Sequence, residues 1–125
     1  MNNRARVLVV DDNKTNLELF MDFLDYGGYE GLRAENGEEA IEIARKEHPD
    51  LVLLDMQLPG IDGLSVARIL KSDEETKLIK VAVLSAYNVQ KGREIFADEA
   101  LDGYIAKPVS MKDFLKMVEE LVGRI

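Results

Sequence analysis

The chain of 125 residues contains no cysteine. Disulfides, thiolate nucleophiles and cysteine-held metals are therefore all excluded, which suits a reducing compartment. Histidine is nearly as scarce: His48 stands alone, beside Pro49 at an expected helix end, and reads as a surface residue. Placed on the edge opposite the carboxylates, it cannot be the base of a Ser-His-Asp system there. Glycine is missing from VVDDNKTN, the segment after the first apolar run, so neither a Walker-type nor a dinucleotide phosphate loop is present there. Basic residues are outnumbered, with 16 Lys+Arg against 24 Asp+Glu and a formal net charge of -8. That balance, without any basic run, argues against direct nucleic-acid binding. No apolar run is long enough for membrane insertion, and MNNRARVLVV is too short in its apolar part for a signal peptide. The expected location is cytoplasmic.

What remains is enough for one domain over residues 1–125, with 46% hydrophobic content to fill a core. Apolar runs alternate with helical patterns. Ala5 to Val10 reads as a strand buried on both faces. Leu17, Phe20, Met21 and Leu24 follow at helical spacing, and Gly27-Gly28 ends that helix. Tyr29 to Ala34 is a second strand, diluted by Glu30, Gly31 and Arg33. Asn36-Gly37 reads as a turn before a helix through Ala40, Ile43, Ala44 and Glu47, closed at His48-Pro49. Leu51 to Leu54 is the most uniformly apolar strand. The turn-rich LPGIDG precedes a helix from about Leu64 to Lys71, packing through Val66, Ala67 and Leu70. Ile79 to Leu84 and Leu101 to Ala106 read as further strands, with a helix of weak start from Val89 to Glu99 between them. Ser110, followed by Asp113, caps a last helix whose stripe is Met111, Phe114, Leu115, Val118 and Leu121 or Val122. Five strand–helix units with short connections predict an α/β fold, a parallel sheet covered by helices on both faces.

The chemistry gathers where such sheets bind ligands, outside the carboxyl ends of the strands. Asp11 and Asp12 follow VLVV, Asp55 follows LVLL, and Lys107 follows the fifth strand. Three carboxylates in one crevice repel one another unless a cation sits among them. Oxygen ligands without cysteine point to Mg²⁺, with Mn²⁺ as a substitute, completed by waters and a backbone carbonyl that Gln57 can offer. The plainer alternative is that Asp11 and Asp12 only cap the following helix. Asp55 is also placed to attack a phosphoryl group, giving an acyl phosphate, while Lys107 and the metal neutralise the phosphoryl oxygens. The hydroxyl of Ser85 can donate to such an oxygen, and Ala86 leaves room for it. Tyr104, three residues before Lys107, is either a half-buried strand aromatic or a switch.

These segments together resemble the receiver domain of two-component response regulators, over nearly the whole chain. VLVVDDNKTNL is similar to the family's first strand and acidic pair, PDLVLLDMQLPGIDG to its phosphoacceptor segment, and VAVLSA and GYIAKPV to its hydroxyl and lysine segments. The resemblance implies a doubly wound five-stranded sheet, order 2-1-3-4-5, in a flavodoxin-like three-layer sandwich. It implies that Asp11 and Asp12 bind Mg²⁺, that Asp55 accepts the phosphoryl group and joins the metal ligands, and that Gln57 supplies its carbonyl. Ser85 takes the family's Ser/Thr position, Tyr104 its switch aromatic and Lys107 its lysine. Gln57, Ala86 and Tyr87 flank the approach of the hydrolytic water and tune product lifetime. Asn16 is similar to the opening of stand-alone and hybrid-kinase receivers, and MQLPGIDG and the close after the last helix resemble stand-alone regulators of the cell-division or phosphorelay type.

The implied partners are a sensor histidine kinase or a histidine phosphotransfer protein, and a downstream protein target. The implied state is a monomer or a weak dimer that depends on phosphorylation. Such a protein catalyses its own Mg²⁺-dependent phosphorylation and dephosphorylation yet serves as a signalling component. Glu99-Ala100, where the family often has glycine, and Asn88 to Gly92 depart from the pattern in the segment that carries output. Three other readings compete: a degenerate receiver that only binds protein, a metal-dependent phosphatase, and a flavodoxin-like electron carrier. The complete acidic set opposes the first. The phosphatase lacks the second acid at the position of Gln57, and the carrier lacks phosphate-binding donors in its first loop.

Overall fold

The computed structural model describes residues 4–55, 63–85, 101–106 and 110–123. Five parallel strands run through them: β1 (Arg6–Val10), β2 (Glu30–Ala34), β3 (Leu51–Asp55), β4 (Lys80–Ser85) and β5 (Gly103–Ala106). Four helices accompany them: α1 (Lys14–Tyr26), α2 (Gly37–Glu47), α3 (Gly63–Ser72) and α4 (Met111–Val122). The strand order is β2-β1-β3-β4, with β5 laid outside β4. The expected helix from Val89 to Glu99 lies outside the described residues.

Alternation along the central strands explains the layers. Side chains of successive strand residues leave opposite faces of a sheet. Leu8, Val10, Val52, Leu54, Val81 and Val83 join Ala40, Ile41, Ala44, Val66, Ala67 and Leu70 on the α2/α3 side. Val7, Val9, Leu51, Leu53, Ala82 and Leu84 join Leu17, Phe20, Leu24, Phe114 and Val118 on the α1/α4 side. The result is a three-layer sandwich. β3 is buried at all five positions, as an apolar run without polar alternation requires. β2 alternates half-buried and exposed residues before buried Ala34, because it forms the sheet's edge and one flank meets solvent.

Helix ends follow local chemistry. Asn13 caps α1 by accepting from the Asn16 N–H at 3.1 Å, and Ser110 caps α4 by accepting from Asp113 N–H. Asn36, expected in a turn, is instead the N-cap of α2: its Oδ1 accepts from Glu39 N–H at 2.8 Å, and Gly37 is already helical and buried. In the same helix Ile41 is buried, whereas the expected Ile43 is only half-buried. Gly28 leaves α1 at φ +85, a conformation that favours a residue without Cβ. Gly31 has a different reason. A Cβ there would lie 2.6 Å from the Met21 sulfur, so α1 sits directly against the β2 backbone.

The fifth strand begins at Gly103 rather than Leu101 because Asp102 is occupied elsewhere. Its N–H donates to the Val81 carbonyl at 2.7 Å, while its Oδ2 accepts from the Val81 N–H at 2.7 Å and from Lys71 Nζ at 2.8 Å. Lys71 Nζ also donates to the Ile79 carbonyl. One carboxylate thus ties α3, β4 and the start of β5. Burial pushes the Asp102 carboxyl up, but Lys71 and the Val81 N–H together hold it below the usual aspartate range. A depressed folded pKa means stability that is present above the unfolded value and lost as pH falls through the folded one. Asp102→Ala is expected to cost about 1–2 kcal/mol at neutral pH, since charged hydrogen bonds are lost at a partly exposed site. Urea unfolding of both proteins checks this: the gap should close on acidification into the range where the folded carboxyl is protonated.

Candidate metal centre at the carboxyl edge of the sheet

The parallel arrangement puts every strand's carboxyl end on one edge, and the chain follows β1 and β3 there with acids. Asp11 comes directly after β1, and its N–H continues the β1/β2 ladder by donating to the Ala34 carbonyl at 3.1 Å. Its side chain is fully buried. Asp12 is exposed. Asp55 is the last residue of β3, opposite Leu84 of β4, and only 8% exposed. One oxygen from each of the three carboxylates lies within 4.8 Å of the others. An isolated charge is costly to bury, and like charges at this spacing repel. A hard cation reverses both costs, and a donor set of three carboxylates without nitrogen or sulfur has the chemistry of a Mg²⁺ or Mn²⁺ site.

The helix-cap reading of the acidic pair does not describe this geometry. Asn13, not either aspartate, is the N-cap of α1. Asp11 Oδ1 instead accepts from the Asn13 N–H at 2.9 Å, and Asp11 Oδ2 accepts from Asn16 Nδ2 at 3.2 Å. Two asparagines therefore hold the buried carboxylate, a role that sequence reasoning missed. The available signal was the spacing in DDNKTN, where an Asn cap falls three residues before another Asn.

Of the other expected site residues, Ser85 ends β4 in register with Ala106 and one position beyond the Asp55↔Leu84 pair. Tyr104 lies within β5, in register with Val83. Gln57, Ala86, Tyr87 and Lys107 lie outside the described residues. His48 sits at the opposite edge: it is the left-handed C-cap of α2 at φ 48, beside a cavity of about 250 Å³ that Pro49 and Asp50 also line.

Comparison with known proteins agrees with this arrangement. Residues 7–119 match the family described as the response regulator receiver domain. The chain is 38% identical over 117 residues to the polar-differentiation response regulator DivK of Brucella ovis, covering 94% of this chain and 95% of that protein. The crystal structure of the receiver domain of sensor histidine kinase PA1611 from Pseudomonas aeruginosa PAO1 superposes with a TM-score of 0.86 at 26% identity, over 97% and 99% of the two chains. That structure holds a magnesium ion in its active-site cleft. A CheY-like receiver domain protein from Methanospirillum hungatei JF-1 superposes with a TM-score of 0.82, also at 26% identity, over 96% and 94%. An acidic cluster at the carboxyl edge, on a sheet of this order, thus accompanies a match along almost the whole sequence, and the chain belongs to the response regulator receiver domain family.

Proposed function

We propose that this receiver takes a phosphoryl group from a phosphohistidine of a partner protein onto Asp55, with Mg²⁺ held by Asp11, Asp12, Asp55 and the Gln57 backbone carbonyl. The observation that carries the proposal is the position of Asp55. It closes the most buried strand, yet brings a carboxylate oxygen within 4.8 Å of those of Asp11 and Asp12. Bound Mg²⁺ supplies positive charge that offsets the carboxylates and the phosphoryl oxygens. A carboxylate oxygen of Asp55 attacks phosphorus, the P–N bond breaks, and the imidazole leaves with its electron pair. Lys107 holds a phosphoryl oxygen through its ammonium, and Ser85 donates its hydroxyl to another. Hydrolysis returns the Asp55 carboxylate and inorganic phosphate, at a rate tuned by Gln57, Ala86 and Tyr87 around the water's approach.

The readout follows from new charge at one strand end. Ser85 draws toward the phosphoryl group and Tyr104 repositions, shifting the population of a surface that includes β5 and α4. The full doubly wound plan of five strands, order 2-1-3-4-5, is the scaffold proposed for this surface. The donor is a sensor histidine kinase or a histidine phosphotransfer protein, and the reader is a downstream protein target. The setting is cytoplasmic, with residues 1–125 as one receiver domain, monomeric or weakly dimeric when phosphorylated. Among the described residues, no helix is long and apolar enough to cross a membrane. Incubation with Mg²⁺ and a small-molecule phosphodonor should add the mass of one phosphoryl group, and chelation should abolish the gain. An unchanged intact mass across several donors would overturn the assignment.

A further inference from the structure

We propose that Asn16 is a positioning residue of the metal site: its side-chain amide orients Asp11 and links cation binding to the first turn of α1. The inference rests on the metal reading above and concerns how the site is held. In an ordinary capping box, the side chain three residues into the helix reaches back to the N–H of the cap residue. Here that position belongs to Asn16, and the cap is Asn13. The Asn16 N–H does donate to Asn13 Oδ1 at 3.1 Å. The return bond is rerouted. The Asn13 N–H donates to Asp11 Oδ1 at 2.9 Å, and the Asn16 amide donates to Asp11 Oδ2 at 3.2 Å. Each Asp11 oxygen therefore receives a donor, one from the cap residue and one from the first turn of α1.

The chemistry of the donor matters. An ammonium at this position would neutralise Asp11 and compete with a cation. A neutral amide fixes the carboxylate's plane while leaving its full charge, which the cluster with Asp12 and Asp55 needs in order to attract a divalent ion. Asn16 is only half-buried, whereas Asp11 is fully buried, so the amide closes the carboxylate's outer side. Orienting partners of metal ligands are worth about 10–100-fold in affinity. The lower end fits a single bond of 3.2 Å.

Mg²⁺ titrated into the full chain by calorimetry tests the proposal. Asn16→Leu, which keeps the shape and loses the donor, should weaken Mg²⁺ binding by about tenfold. Asn16→Gln, which returns an amide on a longer arm, should recover part of that loss. Equal Mg²⁺ affinity in Asn16→Leu and the parent would overturn the proposal, whatever happens to the melting temperature. Equal weakening in both variants would overturn it too, since the donor would then be immaterial. Should Asn16→Leu fail to fold, the parent protein decides: its Asn16 side-chain amide NMR signal should shift on Mg²⁺ addition and saturate with the calorimetric affinity. A signal that stays in place overturns the proposal. A parent that binds no Mg²⁺ at all refutes the metal reading itself, a separate result.

Discussion

Asp55→Asn is expected to gain no phosphoryl mass under conditions where the parent protein is modified. Asparagine keeps the shape of aspartate but has no carboxylate oxygen with which to attack phosphorus, so the effect is complete rather than graded. The same change should raise stability without metal. Asp55 is nearly buried and its carboxylate lies within 4.8 Å of two others. Removing one charge relieves repulsion of about 1–3 kcal/mol at an effective dielectric near 20, discounted because Asp12 is exposed. The response to cation should move oppositely. Mg²⁺ at 100 times its dissociation constant stabilises a folded protein by about 2.7 kcal/mol, and the variant, left with two carboxylates, should gain much less. Thermal unfolding with and without Mg²⁺, beside intact-mass measurement, reads all three effects. A variant that still acquires phosphoryl mass would move the acceptor elsewhere in the chain.

The second large effect is mechanical. Phe114→Ala should destabilise the fold by about 3–5 kcal/mol, the range for emptying a buried phenylalanine site. Phe114 is fully buried, stacked on Phe20 with ring centroids 5.1 Å apart and edge-on to Phe23 at 5.5 Å. Each such aromatic pair adds about 0.5–1.5 kcal/mol beyond area burial. Because natural domains of this size hold only roughly 5–15 kcal/mol in total, the loss is a large fraction. Denaturant titration should show a lowered midpoint, and Phe114→Leu, which refills most of the space, should recover more than half. Neither variant touches the acidic cluster. In the folded protein, Mg²⁺ affinity should therefore stay within about twofold, as expected for distant, independent sites.

The parts of this fold legible in the sequence were those written in short-range pattern. LVLL names a doubly covered strand, and Asp55 at its end inherits the carboxyl edge from parallel topology. The stripes Val66, Ala67, Leu70 and Leu17, Phe20, Leu24 follow helical period, and Ser110 announces its cap. What escaped depends on contacts the pattern does not encode. Asn36-Gly37 has the composition of a turn, and only the chain's entry into α2 makes Asn36 a cap. Asp102 reads as a strand interruption until β4 arrives 21 residues away in sequence to use it. Asn16 reads only as a mark of family resemblance, with no partner assigned, until the cap brings Asp11 within reach. The cluster itself was predictable because charge at strand ends has few structural uses. The bonds that hold it were not, because each depends on a rotamer.

The partition of apolar residues by the sheet carries one more consequence. Every ring in the described aromatic contacts lies on the α1/α4 side, while among the described residues the α2/α3 side is filled by aliphatic side chains. β3 stands between them as a solid wall. A lineage could remodel the aliphatic compartment by small volume exchanges and leave the aromatic one untouched, since neither can lend side chains to the other. Changes on opposite sides should combine by simple addition, and those within one side should not. Divergence in such a protein then proceeds as two nearly independent histories that share only the strands between them.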